Sequence, residues 1–300
     1  SAASLATLYS NATTATVNPA VTLRSVGVNG GQAAAFTYDL ARSIVYTRQG
    51  NPAWAGLDRD GIQPLRSDDL FNGSPTNAVP NWLDLNKVAI PQADEQQRLL
   101  ANMILSMNSD KKLLPRFWYF PHGHKAAVVM TGDDHANGGT IGRFDQYMAL
   151  SSTNGSVDDW ETIRSTSYIY TATPLTDAQA LAYETNGFEI SFHLNSGCAN
   201  YTQATLNGFF TNQLDQWTNK YLSLAPPTTH RMHCIAWGDY TMLPEVGLTF
   251  GVRLDTTYYY FPPSWVANRP GVFTGSGMPM RFATTNGNVV DVYQATTQMT

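Results

Sequence analysis

From residue 126 onward, short apolar runs alternate with stretches of amphipathic periodicity. Runs of small and β-branched residues predict buried strands, and apolar positions spaced three and four apart predict helices. The strands are predicted at 126–134, 165–170, 188–193, 229–233, 251–255, 272–283 and 288–293, and the helices at 141–150, 176–186, 203–221 and 241–246. This alternation predicts a parallel α/β architecture, either a barrel or a doubly wound sheet.

The first hundred residues have a different pattern. Residues 1–28 are polar and β-type or irregular, and a predicted strand at 33–36 continues through 43–46. Residues 50–86 show no periodicity. The segment 91–105 predicts a helix, with a proline at its start, acids in its first turn and an apolar stripe. We therefore predict a partial, β-rich or α/β accessory region with a connector at 1–115 and an α/β domain at 116–300.

Polar groups stand at the ends of three of the predicted strands. Asp133 and Asp134 end the first, His193 ends another, and Arg231 and His233 end a third. The carboxyl ends of parallel strands meet at one edge of the sheet, where catalytic groups collect. Carboxylates and imidazoles brought together in this way are what a hydrolytic metal site requires.

Simpler interpretations of the same residues stay open. A pair of aspartates after a strand is often a helix N-cap, because its oxygens accept hydrogen bonds from free backbone N–H groups. A single histidine in an apolar run, such as His193, can be a buried core residue. The joint occurrence in three separate segments favours the metal site.

Composition limits the partners. The chain has 300 residues, a net charge of −5 and no basic block, which argues against nucleic acid or an anionic membrane surface as a partner. No run of about 18 apolar residues is present, so no membrane span is expected. Threonine, asparagine, serine and glycine are abundant and lysine is scarce, as in many exported proteins.

The only two cysteines follow two of the candidate histidines. Cys198 comes five residues after His193, and Cys234 directly follows His233. If both loops rim one site, the cysteines can form a disulfide, which suits an oxidising compartment and a secreted or cell-surface protein. Two buried free thiols are the alternative.

The ordered motifs resemble those of the polysaccharide deacetylases of the NodB-homology group. Thr131-Gly132-Asp133-Asp134 resembles that family's Thr-Phe-Asp-Asp signature, and residues 187–193 resemble its second motif, which delivers a metal-binding histidine. Arg231-Met232-His233-Cys234 stands where its Arg-x-Pro-Tyr motif falls. The resemblance covers residues 125 to about 283. It implies an irregular (β/α) barrel that removes acetyl groups from sugars with the help of one divalent metal, most often zinc.

The resemblance also implies roles for individual residues. Asp133 would be the general base, Asp134 and His193 would be metal ligands, and Arg231 would orient Asp133 and keep it ionised. Asp255 corresponds to the family's fourth motif, and Trp237 is the candidate for lining the cleft; both are expected to contact substrate. An acetylated hexosamine polysaccharide is the expected substrate.

Three departures from the family pattern affect this assignment. Gly197 stands where the family has a second ligand histidine, so the third ligand would be His233, with Asn195, His135 or water as alternatives. Cys234 replaces the tyrosine of the third motif. The late motif that supplies the general acid does not occur before Thr300, which implies a barrel truncated at its C-terminal end.

Two further hypotheses concern the whole chain. Residues 35–40 and 47–52 resemble the tail of a glutamine-amidotransferase-like domain, without a cysteine nucleophile. Two functions are alternatives to a deacetylase. One is a catalytically decayed carbohydrate-binding module on the same scaffold. The other is a metallophosphoesterase whose first motif would be Asp133-Asp134-His135.

Overall fold

The computed structural model of the chain describes residues 1–11, 13–71, 82, 84–110, 120–258 and 277–298. The chain begins with a three-stranded antiparallel sheet, in which β1 (Ala3–Tyr9) pairs with β2 (Ala15–Val26) and β2 pairs with β3 (Gly31–Phe36). The β-rich character predicted for the start of the chain is therefore present.

Two helices follow this small sheet. The predicted helix at 91–105 is confirmed as α2 (Gln92–Met107), whose Met103 packs with Val21 of the sheet. The strand predicted at 43–46 is wrong, because this segment lies in α1 (Leu40–Gln49). The Asp39 carboxylate accepts a hydrogen bond from the backbone N–H of Arg42 and caps that helix, so capping prevails over the β-propensity of an Ile-Val-Tyr run.

A seven-stranded sheet forms the main body, in the order β4-β5-β6-β7-β8-β10-β9. Its strands are β4 (Thr131–Asp134), β5 (Thr166–Ile169), β6 (Glu189–Leu194), β7 (Thr229–Met232), β8 (Leu254–Asp255), β9 (Met280–Ala283) and β10 (Val289–Gln294). The helices of this part are α3 (Gly139–Leu150), α4 (Asp177–Thr185), α5 (Gln203–Lys220) and α6 (Met242–Thr249). All strand pairs are parallel except β9 with β10, so the predicted α/β class is correct. Among the described residues, β4 and β9 are the edge strands.

Strand alternation gives this sheet two different faces. On the helix face, Phe192 of β6 packs against Phe210 and Trp217 of α5, with ring centroids 6.1 and 6.3 Å apart. On the opposite face, which we call the site face, Arg231 of β7 reaches Thr131 and Asp133 of β4. The apolar core therefore lies beneath the helices, and polar chemistry collects on the site face.

The apolar run before β4 differs from the prediction. We expected residues 126–130 to be the buried first half of a strand, but β4 begins only at Thr131, and Val128 and Val129 are 73% and 83% exposed. The ladder between β4 and β5 starts at the pair Thr131 and Thr166, so the preceding residues extend beyond it.

Residues before the predicted domain boundary pack on the main sheet. The Gln49 side chain pairs with the backbone of Ala283 through two hydrogen bonds of 2.7 and 3.0 Å, and Arg48 Nε donates to Gln294 Oε1 at 3.2 Å. Leu70 and Phe71 belong to the same hydrophobic core as the main sheet. The predicted boundary near residue 115 lies outside the described residues and stays a prediction.

Candidate metal centre

Three histidines converge at the carboxyl ends of neighbouring strands. His193 lies in β6, and His135 and His233 directly follow β4 and β7. His135 Nε2 and His193 Nε2 are 3.1 Å apart, and His193 Nε2 and His233 Nδ1 are 3.3 Å apart. One ring nitrogen from each histidine lies within 4.8 Å of the others. The sequence named His193 and His233 as ligands and left His135 as an alternative, and the structure brings all three together.

The central histidine is oriented by a backbone carbonyl. His193 Nδ1 lies 3.0 Å from the carbonyl oxygen of Arg231, which can only accept a hydrogen bond. The proton therefore sits on Nδ1, and Nε2 turns an unprotonated lone pair towards the other two rings. Burial lowers the pKa of His193 to about 3, the Asp133 carboxylate opposes this shift, and the neighbouring imidazoles add to it. A neutral imidazole with one free nitrogen is the form that binds a metal.

The chain turns sharply after two of these histidines. Ala136, after His135, has a φ of 68°, and Cys234 and Ile235, after His233, have φ values of 56° and 49°. Non-glycine residues rarely adopt this left-handed conformation, and they do so mostly where the surrounding structure imposes it. Part of that constraint is covalent, because Cys198 and Cys234 form the predicted disulfide, with Cα atoms 5.4 Å apart.

Asp133 and Arg231 form an ion pair beside the histidines. Arg231 Nη1 lies 3.2 Å from Asp133 Oδ1, and the two side chains are 13% and 27% exposed. Nη2 of the same arginine donates to Thr131 and Thr297, and Nε donates to the carbonyl oxygen of Thr256. The guanidinium contacts Asp133 through Nη1 alone, because Nη2 donates to the two threonines. The arginine is nevertheless held rigidly against one oxygen of Asp133.

The structure corrects the assignment of Asp134 as a metal ligand. Adjacent residues of a strand point to opposite faces, and Asp134 points to the helix face. Its two oxygens accept five hydrogen bonds, from the backbone N–H groups of Asn137, Gly138 and Thr140 and from the hydroxyls of Thr140 and Thr173. Burial alone would raise the pKa of this carboxyl, but these hydrogen bonds lower it overall. Asp134 therefore organises the start of α3, as the N-cap interpretation expected.

The two residues expected to bind substrate are also placed elsewhere. Trp237 is buried, packs edge-on against Tyr258 at 4.5 Å between ring centroids and donates its indole N–H to the carbonyl oxygen of Tyr240. Asp255 is fully buried, accepts hydrogen bonds from the backbone and hydroxyl of Thr257 and lies 3.0 Å from His230 Nδ1. That last contact is close but is not aligned as a hydrogen bond. Neither side chain is accessible to a substrate.

One residue at the centre was not anticipated. The ring of Tyr170, which follows β5, lies 5.2 to 5.3 Å from the rings of His135, His193 and His233. The pKa of Tyr170 is raised, first by burial and then by the negative charge of Asp133. Tyr170 and Asn195 also line a cavity of about 290 Å³ that adjoins His193. The sequence could have identified Tyr170 by its position at the end of a predicted strand, because the other candidate site residues also stand at strand ends.

The arrangement of the three histidines beside Asp133 suits metal-assisted hydrolysis. Three imidazoles from separate strand ends match the ligand set of a hydrolytic zinc site, which leaves one position for water or substrate. Asp133 is a carboxylate on the same face and is close enough to influence the pKa values of His193 and His233. A Lewis-acid position beside a fixed carboxylate is suited to hydrolysis of a carbonyl compound.

Neither protein-family models nor curated protein sequences nor solved structures gave a match when compared with this chain. Site geometry and the sequence motifs are therefore the basis for a functional proposal. Among the helices in the described part of the chain, none combines the length and apolar character needed to cross a membrane.

Proposed function

We propose that this protein is a metal-dependent hydrolase that removes acetyl groups from an amino-sugar polysaccharide. The observation that supports it best is the cluster of His135, His193 and His233 beside the ion pair of Asp133 and Arg231. The order of the sequence motifs, which resembles that of NodB-type deacetylases, gives the proposal its reaction and substrate class. The sheet of seven strands would be the strand set of a deacetylase-type barrel.

The residues fit a divalent metal, and zinc suits them best. Nitrogens that each bind zinc at about 2.0–2.1 Å lie at most about 4.2 Å apart. His193 Nε2 meets this limit with both neighbours, at 3.1 Å from His135 Nε2 and 3.3 Å from His233 Nδ1. Burial lowers the pKa of His233, as does the neighbouring His135, so this imidazole is neutral at physiological pH, like that of His193. When bound, the metal would polarise the acetyl carbonyl and make a water molecule more acidic.

The remaining chemistry is assigned to the side chains of the chain. Asp133 accepts the proton of the attacking water, whose oxygen adds to the acetyl carbon. As the C–N bond breaks, the proton that Asp133 has accepted passes to the amine nitrogen, and the free amine forms. The acetic acid that is released gives its remaining proton to solvent and becomes acetate. Arg231 fixes the direction of Asp133 through Nη1, while Thr131 and Thr297 hold the guanidinium itself in place.

The proposed location follows from the disulfide and the surface composition. A disulfide between Cys198 and Cys234 is typical of proteins that fold in oxidising compartments. Together with the scarcity of lysine, it supports a secreted or cell-surface enzyme, where extracellular polysaccharides are the accessible substrates.

The replacement of Asp133 by asparagine tests the proposed reaction. Asp133→Asn keeps the shape of the side chain and removes the proton acceptor, so acetate release from an N-acetylhexosamine oligomer should fall by about 10² to 10⁴. Zinc content, measured by mass spectrometry of the metal, should stay at the wild-type level, because Asp133 is not a proposed ligand. Asp215→Asn, at an exposed position of α5, is the matched control.

Acetate release by Asp133→Asn within a few-fold of the wild-type rate would contradict the role of Asp133 as base. Loss of zinc together with activity would instead make Asp133 a ligand.

A catalytically decayed carbohydrate-binding module is the second candidate. It is favoured because the Asp134 side chain points to the helix face. The carboxylate that the family pattern places on the metal is therefore missing from the centre. The two candidates differ in a direct measurement. A zinc-loaded wild-type protein that binds acetylated hexosamine oligomers and releases no acetate over several hours would be a binding module.

A further inference from the structure

A second group of candidate metal ligands contains none of the three histidines. Asp58, Asp60 and Asp69 each bring one carboxylate oxygen within 4.8 Å of the other two. Oxygens that bind one calcium ion at about 2.3–2.6 Å lie at most about 5.2 Å apart, so these three fit around one such ion. Acidic groups also cluster on protein surfaces without an ion, so the surroundings of the three carboxylates decide whether they form a site.

The spacing of these acids along the chain is that of ligands in a known type of calcium loop. Asp58, Asp60 and Asp69 stand at positions 1, 3 and 12 of a twelve-residue segment. The twelve-residue calcium loop between two helices takes carboxylates from the same three positions. Here the segment ends in a 3₁₀ turn, and its glycine, Gly61 with a φ of 77°, stands at position 4. The similarity therefore concerns the spacing of the ligands and not the fold.

A fourth carboxylate, that of Asp68, is buried beside this group without a partner. Asp68 is 8% exposed, and its side chain accepts no hydrogen bond from any other residue that the structure describes. Burial raises its pKa to about 7, and the next largest contributions are the negative charges of Asp69 and Asp60, so its carboxylate faces those two. A buried carboxylate is unfavourable in its charged form unless a cation lies beside it.

The charges in this segment match one divalent cation. Burial raises the pKa values of Asp60 and Asp68, and the positive charge of Arg66 opposes this rise. Burial lowers the pKa of Arg59, and the negative charge of Asp69 opposes that fall. Both arginines therefore lie near the acids. Four carboxylates and two guanidinium groups leave a net charge of −2, which one divalent cation balances.

We propose that Asp58, Asp60, Asp68 and Asp69 bind one calcium ion. Calcium is a hard cation that takes six to eight oxygen ligands, and the group offers carboxylate oxygens without an imidazole or a thiol. Zinc, in contrast, is bound mostly by nitrogen and sulfur ligands. The inference goes beyond the proposed function, because it involves no residue of the histidine centre.

The position of the segment gives the ion a structural role. The Arg66 guanidinium makes its hydrogen bonds to backbone carbonyl oxygens, among them that of Cys234 at 3.2 Å. The carboxylates are therefore left available for an ion. By fixing the segment 58–69, the ion stabilises the support of the turn that follows His233.

The first test measures calcium binding directly. The whole wild-type chain is treated with a chelator and titrated calorimetrically with calcium chloride, and one ion per chain should bind with a Kd below about 1 mM. Asp60→Asn removes one charge but keeps an oxygen that can accept from the backbone N–H of Ile62, so the Kd should rise about tenfold or more. Asp215→Asn, at an exposed position of α5, is the matched control and should bind like the wild type.

The second test locates the ion in the folded wild type. Calcium should slow hydrogen–deuterium exchange most strongly at residues 58–69, where the backbone N–H groups of Arg59 and Arg66 donate to the two oxygens of Asp69. At a calcium concentration one hundred times the Kd, the melting temperature should rise by about 4 °C.

Three results would overturn the proposal. The first is no calcium binding by the wild type at millimolar concentration, and the second is an equal Kd in Asp60→Asn and wild type. The third is a loss of calcium binding in His135→Ala, which would place the ion at the histidines. If Asp60→Asn does not fold, the exchange pattern of the wild type decides, and protection that leaves residues 58–69 unchanged refutes the site.

Discussion

At the scale of single residues, neighbours in the sequence have different roles. Asp133 and Asp134 are adjacent, yet one forms an ion pair with Arg231 on the site face and the other accepts five hydrogen bonds on the helix face. A strand reverses side-chain direction at every residue, and in β4 this alternation turns the two adjacent acids to opposite faces. His135, two residues after Asp133, then comes to the same side as Asp133.

Paired substitutions test this division of roles. His135→Ala should weaken zinc binding at least tenfold, because it removes one of three imidazoles, and should leave the melting temperature nearly unchanged in the absence of zinc. Asp134→Asn should have the opposite effect. It replaces an acceptor oxygen by a donor NH₂ facing existing donors, so the free energy of unfolding should fall by about 3 kcal/mol. Zinc content by mass spectrometry and urea unfolding curves provide the two measurements.

Zinc loss from Asp134→Asn in a protein that unfolds at the wild-type urea concentration would return Asp134 to the ligand set. Full zinc content in His135→Ala would remove His135 from it.

At the scale of elements, the short 3₁₀ turn Ser67–Leu70 contains a group of buried acids. Burial raises the pKa of Asp68 to about 7, and the negative charges of Asp69 and Asp60 add to this, against the positive charge of Arg66. The turn packs against the main core through Leu70. Its stability should therefore depend on the protonation of Asp68.

The sign of this pH dependence follows from proton binding. Between pH 4 and pH 7 the unfolded chain has released the Asp68 proton while the folded chain retains it, so the free energy of unfolding falls as the pH rises and levels off above about 7. Asp68→Asn imitates the protonated form. It should match the wild type near pH 4 and be more stable above pH 7, by an amount on the order of a few kcal/mol.

Urea unfolding at pH 4.5 and pH 8 measures this difference, with Asp215→Asn as the control for an exposed carboxyl. A stability difference between Asp68→Asn and wild type that is equal at both pH values would show that Asp68 does not titrate in this range.

At the scale of the whole molecule, distant segments meet around the centre. The disulfide joins the loop after β6 to the turn after β7, with 36 residues of sequence separation. Arg66 donates to the carbonyl oxygen of Cys234 at 3.2 Å, and Asn200 accepts from the backbone N–H of Leu65 at 2.7 Å. Leu65 and Arg66, from the long segment without periodicity, therefore support the loops that carry the site.

Removal of the disulfide tests this support. The double variant Cys198→Ser with Cys234→Ser should lose about 4 kcal/mol of unfolding free energy, because the cross-link restricts a loop of this length in the unfolded chain. Zinc affinity should fall as well, since His233 directly precedes Cys234. Thermal unfolding and a zinc titration give the two values, and wild type under reducing conditions should reproduce both. An unchanged zinc affinity would show that the turn holds His233 without the cross-link.

The α/β class, the helices of the main body and the polar strand ends could be predicted from the sequence. Periodicity is a local property, and an apolar run that ends in Asp133, His193 or Arg231 carries its signal within a few residues. The disulfide was also predictable, since Cys198 and Cys234 each follow a histidine that a shared strand edge brings close. These features depend on the order of residues and on the general rule that parallel strands share one carboxyl edge.

Only the tertiary structure decided which side chains form the centre. Asp134 leaves it because the strand turns that side chain towards α3. Trp237 is buried against Tyr258, and Asp255 is buried beside His230. Tyr170 and His135 join the centre because β4, β5 and β6 are neighbours in a particular register. The direction of each side chain and the register of the strands come from long-range pairing, which sequence periodicity does not encode. They determine which side chains become ligands and hydrogen-bond donors of the site.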